Sequence, residues 1–274
     1  MSECYGRYFI KNGKVYDREA FDDSVIKTGK SIYEVVRIID GVPLFLEKHL
    51  ERMSNSADLV KCKMLMNYES IRDNMRRLIN EEGNNHGNVK IVFNYGESDS
   101  SYFYFFKHSY PEAELYKKGV HTILYHGERE NPNAKVVNSA FKERVEALIR
   151  ENDAYEAILV DREGYITEGS KSNIFMILKD KVITSPVEAV LPGVTRNIII
   201  NLIKGAGIDF AEEKFHYSSI ASLQGLFISG TSPKVLPIST VNNYHFASGS
   251  NEIIEKIIKL YDKEVSEYIC KNKI

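Results

Sequence analysis

The stretch YEAILVDREGYITEGSKSNIFMILKDKVITS, residues 155–185, decides the expected fold. Short apolar segments alternate here with the turn-forming DREG and the polar EGSKS sequences, and no room is left for a helix between them. Apolar segments of four to eight residues that are bounded by turn residues are typical of a strand meander. Runs of strands that are not each followed by a helix favour an α+β fold over a doubly wound sheet.

The N-terminal third predicts strands followed by two helices. Residues 8–10 and 32–39 are rich in β-branched or aromatic residues and precede Asn-Gly and Asp-Gly pairs, which is typical of hairpins. From Leu46 onward, apolar side chains recur every three or four positions, as on one face of a helix. A second such pattern runs over residues 68–82 and ends at Gly83.

Further strands and helices surround the meander. The aromatic run at residues 102–107 predicts a strand buried on both faces, and the charged, proline-containing segment 110–119 predicts a connector. Helices are expected to begin near Lys135 and after the Pro-Gly pair at 192–193. We therefore predict two domains: a small N-terminal α/β domain, residues 1–115, and a larger C-terminal domain, residues 116–274.

The composition restricts the partners of the protein. The 274 residues include 36 basic and 38 acidic ones, so the net charge of −2 gives no global attraction for nucleic acid or an anionic membrane. No segment approaches the roughly 20 apolar residues of a membrane helix, and the N-terminus lacks the apolar core of a signal peptide. The three cysteines form no CxxC pair and the histidines show no ligand spacing. We expect no metal site and a reducing, cytoplasmic environment.

Two loops and one arginine have the chemistry to bind an anion. In LPGVTR, residues 191–196, Thr195 supplies a hydroxyl where a helix begins, and the unpaired N–H groups of that helix end favour a phosphate. In ISGTSPK, residues 228–234, a strand ends in small hydroxyl-bearing residues. Arg52, on the first helix, supplies a guanidinium that binds phosphate in a bidentate way. Each feature also has an ordinary interpretation, as an N-cap, a strand exit or a solvated helix face.

Lys135 and Glu168 are candidates for covalent and acid–base chemistry. Lys135 follows a Pro-Asn turn and stands between apolar neighbours, which lower the pKa of an amine and make it a better nucleophile towards carbonyl groups. Glu168 lies between a strand and a polar turn, where solubility alone does not require a carboxylate. Composition does not distinguish this lysine from the others, and glutamate beside glycine is common in turns.

The order of these elements resembles one known family. GKSIYEVVR at 29–37, HLERM at 49–53, the lysine twenty residues before YEAIL, ITEGSKSNIF at 166–175, LPGVTR and SGTSPKVLPI at 229–238 follow one another as in the class IV aminotransferases. These are pyridoxal-phosphate enzymes of fold type IV, and they include D-amino-acid aminotransferase, branched-chain aminotransferase and aminodeoxychorismate lyase. The resemblance covers nearly the whole chain and implies a two-domain α+β architecture whose larger, cofactor-binding domain is a mixed-sheet pseudo-barrel.

The resemblance also implies roles for individual residues. Lys135 would bond to pyridoxal phosphate and carry the proton between the substrate Cα and the cofactor, and Glu168 would pair with the pyridine nitrogen. The residues expected to bind the cofactor phosphate are Arg52, Val194, Thr195 and Thr231. The residues expected on the substrate side are Tyr33, Tyr95, Ser232 and Lys234.

The implied reaction exchanges an amino group between an amino acid and a 2-oxo acid, in a homodimer. The IYEVV segment resembles D-amino-acid aminotransferases more than the Phe-Glu-Gly segment of branched-chain enzymes. It therefore favours D-alanine or D-glutamate, with 2-oxoglutarate or pyruvate as the oxo acid. The region NYGESDSSYFYFF lacks the arginine and histidine with which D-specific members bind the substrate carboxylate. Lys234 is the hypothetical replacement.

Three alternatives stay open. The first is a branched-chain aminotransferase that acts on L-amino acids. The second is an aminodeoxychorismate lyase that makes 4-aminobenzoate; such lyases often place a threonine after the aromatic residue of the first motif, where this chain has Glu34 and Val35. The third is a non-catalytic binding protein, which the presence of Lys135, Glu168 and Arg52 disfavours.

Overall fold

The structure, a computed structural model, describes residues 2–26, 28–129, 132–137 and 139–273. The chain forms two compact units that alternate along the sequence. Unit 1 comprises Met1–Ser109, Ala134–Val137 and Val265–Ile274; unit 2 comprises Tyr110–Asn133 and Asn138–Glu264. The division into domains at residues 115 and 116 stays a prediction, since compact units are not tests of independent folding.

Unit 1 is built on an antiparallel sheet and two helices. Its strands are β1 (Cys4–Lys11), β2 (Lys14–Asp17), β3 (Lys30–Ile39), β4 (Val42–Pro43), β5 (Gly87–Tyr95) and β6 (Ser100–Phe106), and its helices are α1 (Leu46–Leu59) and α2 (Tyr68–Glu82). Among the described residues the strand order is β2-β1-β6-β5-β3-β4. At the N-terminus of α2, the Asn67 side chain accepts a hydrogen bond from the Ser70 N–H. Gly83 ends this helix at a φ of 62°. Both predicted helices are therefore confirmed.

The two faces of this sheet bury different residues. On one face, Ile32, Ile91 and Phe103 pack against the apolar sides of α1 and α2. On the other face, Val92 and Tyr104 pack against the N-terminal segment of the chain. Strand β6 is therefore buried on both sides, which confirms the prediction from its aromatic run.

Residues 134–137 extend the sheet beside β3. Tyr33 N donates to the Lys135 carbonyl over 3.1 Å, Val137 N donates to the Ser31 carbonyl over 3.1 Å, and Ile32 forms an antiparallel bridge with Val136. The predicted helix near Lys135 is therefore wrong at its start. Because the backbone of this segment bonds to a strand, Lys135 is extended and the helix begins only at Ser139.

Unit 2 is built on a mixed sheet. Its strands are β7 (Val120–His126), β8 (Glu156–Val160), β9 (Tyr165–Gly169), β10 (Asn173–Leu178), β11 (Lys181–Thr184), β12 (Phe210–Glu212), β13 (Phe215–His216), β14 (Gly225–Gly230), β15 (Lys234–Val241) and β16 (Tyr244–His245). Over the described residues the order is β12-β11-β10-β14-β15-β7-β8-β9-β13, with β16 on β15. The pairs of β7 with β8 and with β15 are parallel, as is the pair of β11 with β12. The remaining pairs are antiparallel, which confirms the α+β expectation.

Unit 2 contains four α-helices among its described residues, and one of them lies in the segment that was predicted to be a connector. They are α3 (Ala113–Lys118), α4 (Ser139–Glu151), α5 (Val194–Gly205) and α6 (Glu252–Asn272), the last of which continues into unit 1. Short 3-10 helices occur in unit 2 at Val187–Ala189, Tyr217–Ser222 and Ser248–Ser250, and in unit 1 at Arg18–Ala20. The predicted connector at 110–119 is wrong in part, because α3 occupies most of it. That helix ends at Gly119, whose φ is 77° and where a Cβ would approach Ser239 N to 2.7 Å. None of the described helices is long and apolar enough to cross a membrane.

Candidate active site

The amine of Lys135 lies against the ring of Tyr33 in unit 1. Its Nζ is 4.8 Å from the ring centroid, within the range of a cation–π contact. The backbone of Lys135 is held by the strand contacts to β3 and by a 3.2 Å hydrogen bond from its N–H to Ser56 Oγ on α1. The sheet and the helix thus fix the backbone of Lys135. Its amine contacts Tyr33, which the resemblance assigns to the substrate side.

Arg52 is part of a buried three-residue cluster. Its Nε and Nη2 donate to the two carboxylate oxygens of Glu34 over 2.7 and 2.6 Å, which is a bidentate pair. His49 Nδ1 lies 2.7 Å from Glu34 Oε2. All three side chains are buried, and Glu34 is fully so. The cluster places the guanidinium on α1 one turn before Ser56, the residue that binds the Lys135 backbone.

The electrostatics of this cluster keep Glu34 charged. Burial alone would raise the pKa of Glu34, but the charge and hydrogen bonds of Arg52, with the His49 contact, more than offset it and lower the pKa to about 2. Burial lowers the pKa of His49 despite the attraction of Glu34. At neutral pH His49 is therefore uncharged and donates Nδ1–H to the carboxylate.

Glu168 is buried at the end of β9 in unit 2. Its Oε2 accepts the Leu191 N–H over 3.0 Å, and its Oε1 lies 3.3 Å from Arg129 Nε. Leu191 begins the LPGVTR segment, so the carboxylate is bonded directly to the loop that leads into α5. The structure brings Glu168 and this predicted phosphate loop together.

A second buried carboxylate shapes the turn after Glu168. Glu156 Oε1 on β8 accepts the Lys171 N–H over 2.6 Å and the Ser172 hydroxyl over 3.0 Å. A Cβ at Gly169 would lie 2.5 Å from that same oxygen, so glycine is required there for the close approach. Burial raises the pKa of Glu156 although these donors act in the opposite direction. Through these two hydrogen bonds, Glu156 fixes the conformation of the EGSKS turn.

The N-terminus of α5 is built to receive an anion. Gly193 is its N-cap, and a glycine has no side chain that could cap the first N–H groups of the helix. A Cβ at Gly193 would meet Asn173 Oδ1 at 2.0 Å, so only glycine lets this end of the helix approach β10. Val194 and Thr195, both predicted as phosphate ligands, occupy the first two helical positions and are buried.

The hairpin from β14 to β15 contributes the second predicted loop. Gly230 and Lys234 pair across it, so Thr231 and Ser232 lie at its tip, with Ser232 buried. Ser229 pairs with Asn173 of β10, and among the described residues its buried hydroxyl has no hydrogen-bond partner. An orphan hydroxyl next to the strand that approaches the N-terminus of α5 is the kind of donor that a bound phosphate satisfies.

Two predicted substrate residues have partners within their own units. Lys234 Nζ donates to Asp262 Oδ1 of α6 over 2.7 Å, and its backbone has a φ of 56°. The Tyr95 hydroxyl donates to the Lys63 carbonyl over 2.6 Å, and burial raises the pKa of this phenol. To bind substrate, either group would have to exchange or share these partners, and both roles stay predictions.

The predicted residues thus form two groups. Unit 1 places Lys135 against Tyr33, and it places Arg52 against Glu34 on the other face of β3. Unit 2 bonds Glu168 to the loop before α5 and also contains the β14–β15 loop. Sequence reasoning missed four residues that hold these groups: Glu34, Arg129, Glu156 and Ser229. For Glu34 a signal was present, because a carboxylate inside the apolar strand IYEVV requires a buried partner.

The chemistry of the donors within each unit suits a part of pyridoxal phosphate. The N-terminus of α5 and the orphan Ser229 hydroxyl suit its phosphate, the buried Glu168 carboxylate suits a pyridinium nitrogen, and the Lys135 amine suits its carbonyl carbon. Among the described residues, no group of three or more His, Cys, Asp or Glu side chains is arranged to hold a metal ion.

Solved structures share this fold. The chain superposes on a branched-chain amino acid aminotransferase from Escherichia coli with a TM-score of 0.86 and 22% identity, over 95% of this chain and 95% of that one. A Legionella pneumophila protein provisionally named 4-amino-4-deoxychorismate lyase gives a TM-score of 0.79 and 22% identity, over 89% of this chain and 95% of that one. The architecture is therefore that of the fold type IV aminotransferases.

Sequence comparison adds the family. The profile of amino-transferase class IV matches residues 31–241, and the chain belongs to this family of pyridoxal-phosphate-dependent enzymes. D-alanine aminotransferase from Bacillus licheniformis is 23% identical, over 87% of this chain and 90% of its own length. A branched-chain-amino-acid aminotransferase from Pseudomonas aeruginosa is 27% identical, over 87% of this chain and 85% of its own length. Amino acids and 2-oxo acids are thus the substrate classes.

Proposed function

We propose that this aminotransferase transfers the amino group of a D-amino acid, such as D-alanine or D-glutamate, to a 2-oxo acid such as 2-oxoglutarate or pyruvate. The observation that carries the proposal is the IYEVV segment of β3, which resembles D-amino-acid aminotransferases and presents Tyr33 to the Lys135 amine. The similarity to D-alanine aminotransferase supports the same substrate class.

Each residue has a distinct task in this proposal. Bound pyridoxal phosphate supplies an electron-accepting ring. Lys135 attaches the cofactor and moves the proton at the substrate Cα, and Glu168 keeps the ring nitrogen protonated. The phosphate is bound by Arg52, Val194, Thr195 and Thr231. The substrate is oriented by Tyr33, Tyr95, Ser232 and Lys234.

The orientation of Arg52 depends on Glu34. A free arginine side chain loses considerable rotational entropy when it binds a ligand, of the order of 2 kcal/mol. In unit 1 the bidentate contact to Glu34 holds the guanidinium in one orientation before any anion arrives. Glu34 is therefore a positioning residue for Arg52.

A half-reaction screen tests the substrate proposal. The yellow holoenzyme is mixed with single D- and L-amino acids, and conversion to the pyridoxamine form is followed by its absorbance. We expect conversion with D-alanine or D-glutamate and not with L-valine or L-leucine. Conversion by the branched-chain L-amino acids alone would replace the proposal by the branched-chain alternative, which the Pseudomonas relative represents. Formation of 4-aminobenzoate from aminodeoxychorismate without an oxo acid would replace it by the lyase.

The catalytic role of Lys135 has a matched control. Lys135→Ala should abolish the half-reaction and the absorbance of the covalently bound cofactor, because both need an amine on this segment beside Tyr33. Lys30→Ala, an exposed lysine on the same strand as Tyr33, should leave both unchanged. If Lys135→Ala were as active as the parent, Lys135 would not be the reacting amine and its proposed role would be wrong.

We also propose that the protein works as a homodimer in the cytoplasm. Resemblance to the family supports the dimer, and the free state of all three cysteines supports a reducing compartment. Light scattering after size exclusion tests the first point; a monomer at working concentration contradicts it. Fractionation of the source cells tests the second.

A further inference from the structure

Unit 1 contains a second buried ammonium beside the reacting lysine. Lys90 of β5 is only 5% exposed, and its Nζ lies 5.0 Å from the ring centroid of Tyr33. Lys135 Nζ lies 4.8 Å from the same centroid. The two ammonium groups are therefore no more than about 10 Å apart, so a small dicarboxylic acid with its hydrogen bonds is long enough to reach both.

The surroundings of Lys90 form a cradle for a carboxylate. Tyr104 and Phe106 place their rings 5.9 and 5.4 Å from its Nζ, so the charge is surrounded by aromatic faces on one side. The ammonium also donates to Oε2 of Glu3, and the Tyr104 hydroxyl donates to this same oxygen over 3.0 Å. Burial, together with the Glu3 charge, raises the pKa of Tyr104 well above its usual value, so its hydroxyl remains a donor.

The occupant of this cradle belongs to the N-terminal segment. The Glu3 side chain is 26% exposed, and its residue precedes β1 rather than forming part of the sheet. Lys90 and Tyr104 are instead fixed opposite each other in the β5–β6 ladder. An ammonium and a hydroxyl on rigid strands thus hold a carboxylate whose own backbone lies outside them.

We propose that Lys90 and Tyr104 bind a carboxylate of the substrate, which displaces the Glu3 side chain. The inference rests on the proposed function, because Lys135 marks the place where the substrate reacts. Either carboxylate of a dicarboxylic substrate has the required chemistry: the α-carboxylate, common to all substrates, or the distal one of glutamate and 2-oxoglutarate. Loss of a hydrogen bond to a charged group weakens binding by about tenfold or more.

Kinetics of Lys90→Met with two oxo acids tests the proposal. We expect KM for 2-oxoglutarate to rise at least about tenfold, with a smaller change in kcat. An equal rise for pyruvate assigns the α-carboxylate to Lys90, and an unchanged KM for pyruvate assigns the distal one. Lys11→Met is the control, since Lys11 lies over another ring of the same sheet, 5.5 Å from the Tyr102 centroid. KM values for both acids that equal those of the parent overturn the inference.

Glu3→Gln gives a second, opposite test that keeps Lys90 in place. Removing the competing carboxylate should lower KM for the same acid several-fold. If the Lys90–Glu3 pair only fastens the N-terminal segment, this variant loses thermal stability without any change in KM, and the inference fails.

Titration of the holoenzyme with glutarate separates this inference from the proposed function. Glutarate has two carboxylates but neither amino nor oxo group, so its binding needs no turnover. We expect it to bind the parent, to bind Glu3→Gln more tightly and to bind Lys90→Met at least about tenfold more weakly. Equal binding to all three proteins contradicts the role of Lys90 even if amino transfer occurs. A parent that binds glutarate through Lys90 yet transfers no amino group contradicts only the proposed function.

Discussion

The buried Glu34–Arg52 pair makes a large and testable contribution to stability. Lowering the pKa of Glu34 from 4.5 to about 2 corresponds to about 3 kcal/mol of unfolding free energy at pH 7, at roughly 1.4 kcal/mol per pH unit. Breaking a buried ion pair by removing one partner costs roughly 3–5 kcal/mol. Because glutamine in place of Glu34 still accepts one hydrogen bond, we expect Glu34→Gln to cost about 3 kcal/mol, at the lower end of that range.

The pH dependence of this loss has a definite sign. A carboxyl group whose pKa is depressed in the folded protein stabilises it above the unfolded pKa, and this contribution disappears as the pH falls through the folded pKa. For Glu34 the window runs from about pH 5 down to about pH 2. The difference between parent and Glu34→Gln should therefore shrink from about 3 kcal/mol at pH 7 to about 2 kcal/mol at pH 3.5.

Urea denaturation of the cofactor-free protein at the two pH values measures this difference. The control is Glu51→Gln, because Glu51 precedes Arg52 on α1 but forms an exposed pair with Lys48. It should cost less than about 1 kcal/mol at either pH. A loss below about 1 kcal/mol for Glu34→Gln, or a loss that does not diminish in acid, would refute the view that Glu34 is held ionised by Arg52. Glu34→Gln should also bind pyridoxal phosphate several-fold more weakly, since Arg52 loses one of the two hydrogen bonds that orient it.

Three further outcomes follow from individual contacts. Ser229→Ala should leave stability unchanged or raise it by about 1 kcal/mol, because its hydroxyl is buried without a partner among the described residues, yet weaken pyridoxal phosphate binding in a titration of the cofactor-free protein. Asp262→Asn should lower KM for the amino acid if Lys234 binds its carboxylate, since the competing partner is removed; an unchanged KM would exclude Lys234 from the substrate site. Burial raises the pKa of Cys4 to about 12, so an alkylating reagent at pH 8 should label exposed Cys270 well before Cys4, as mass spectrometry of digests would show.

Much of the local structure was predictable from the sequence. The spacing of apolar residues predicted the start of α1 and both ends of α2, and the Pro-Gly pair predicted the start of α5. These features depend on contacts between residues a few positions apart, so a short window of sequence contains their cause. The same holds for the meander at 155–185, where each turn is encoded beside its strands. The predicted meander also placed Glu168 near the end of a strand, where the structure has it.

The extended state of Lys135 was not predictable in this way. Its neighbours Val136 and Val137 fit the apolar pattern of the helix that follows, so the helix was expected to start too early. The extended conformation of this segment is set by its hydrogen bonds to β3, which lies about a hundred residues earlier in the chain. Tertiary contacts of this kind override local preference because they satisfy the backbone groups of the segment directly.

By itself, the sequence determined the order of strands and helices, the family and the residue types available for chemistry. The tertiary structure decided which charges meet. Glu34 finds Arg52 and His49 because the pleat of β3 turns it towards α1, whereas Tyr33, its neighbour in sequence, is turned to the opposite face with Lys90 and Lys135. Whether a charge is paired, exposed or held beside a ring depends on strand register and sheet face. These are set by packing over the whole unit, since a shift of one residue in the register would exchange the two faces.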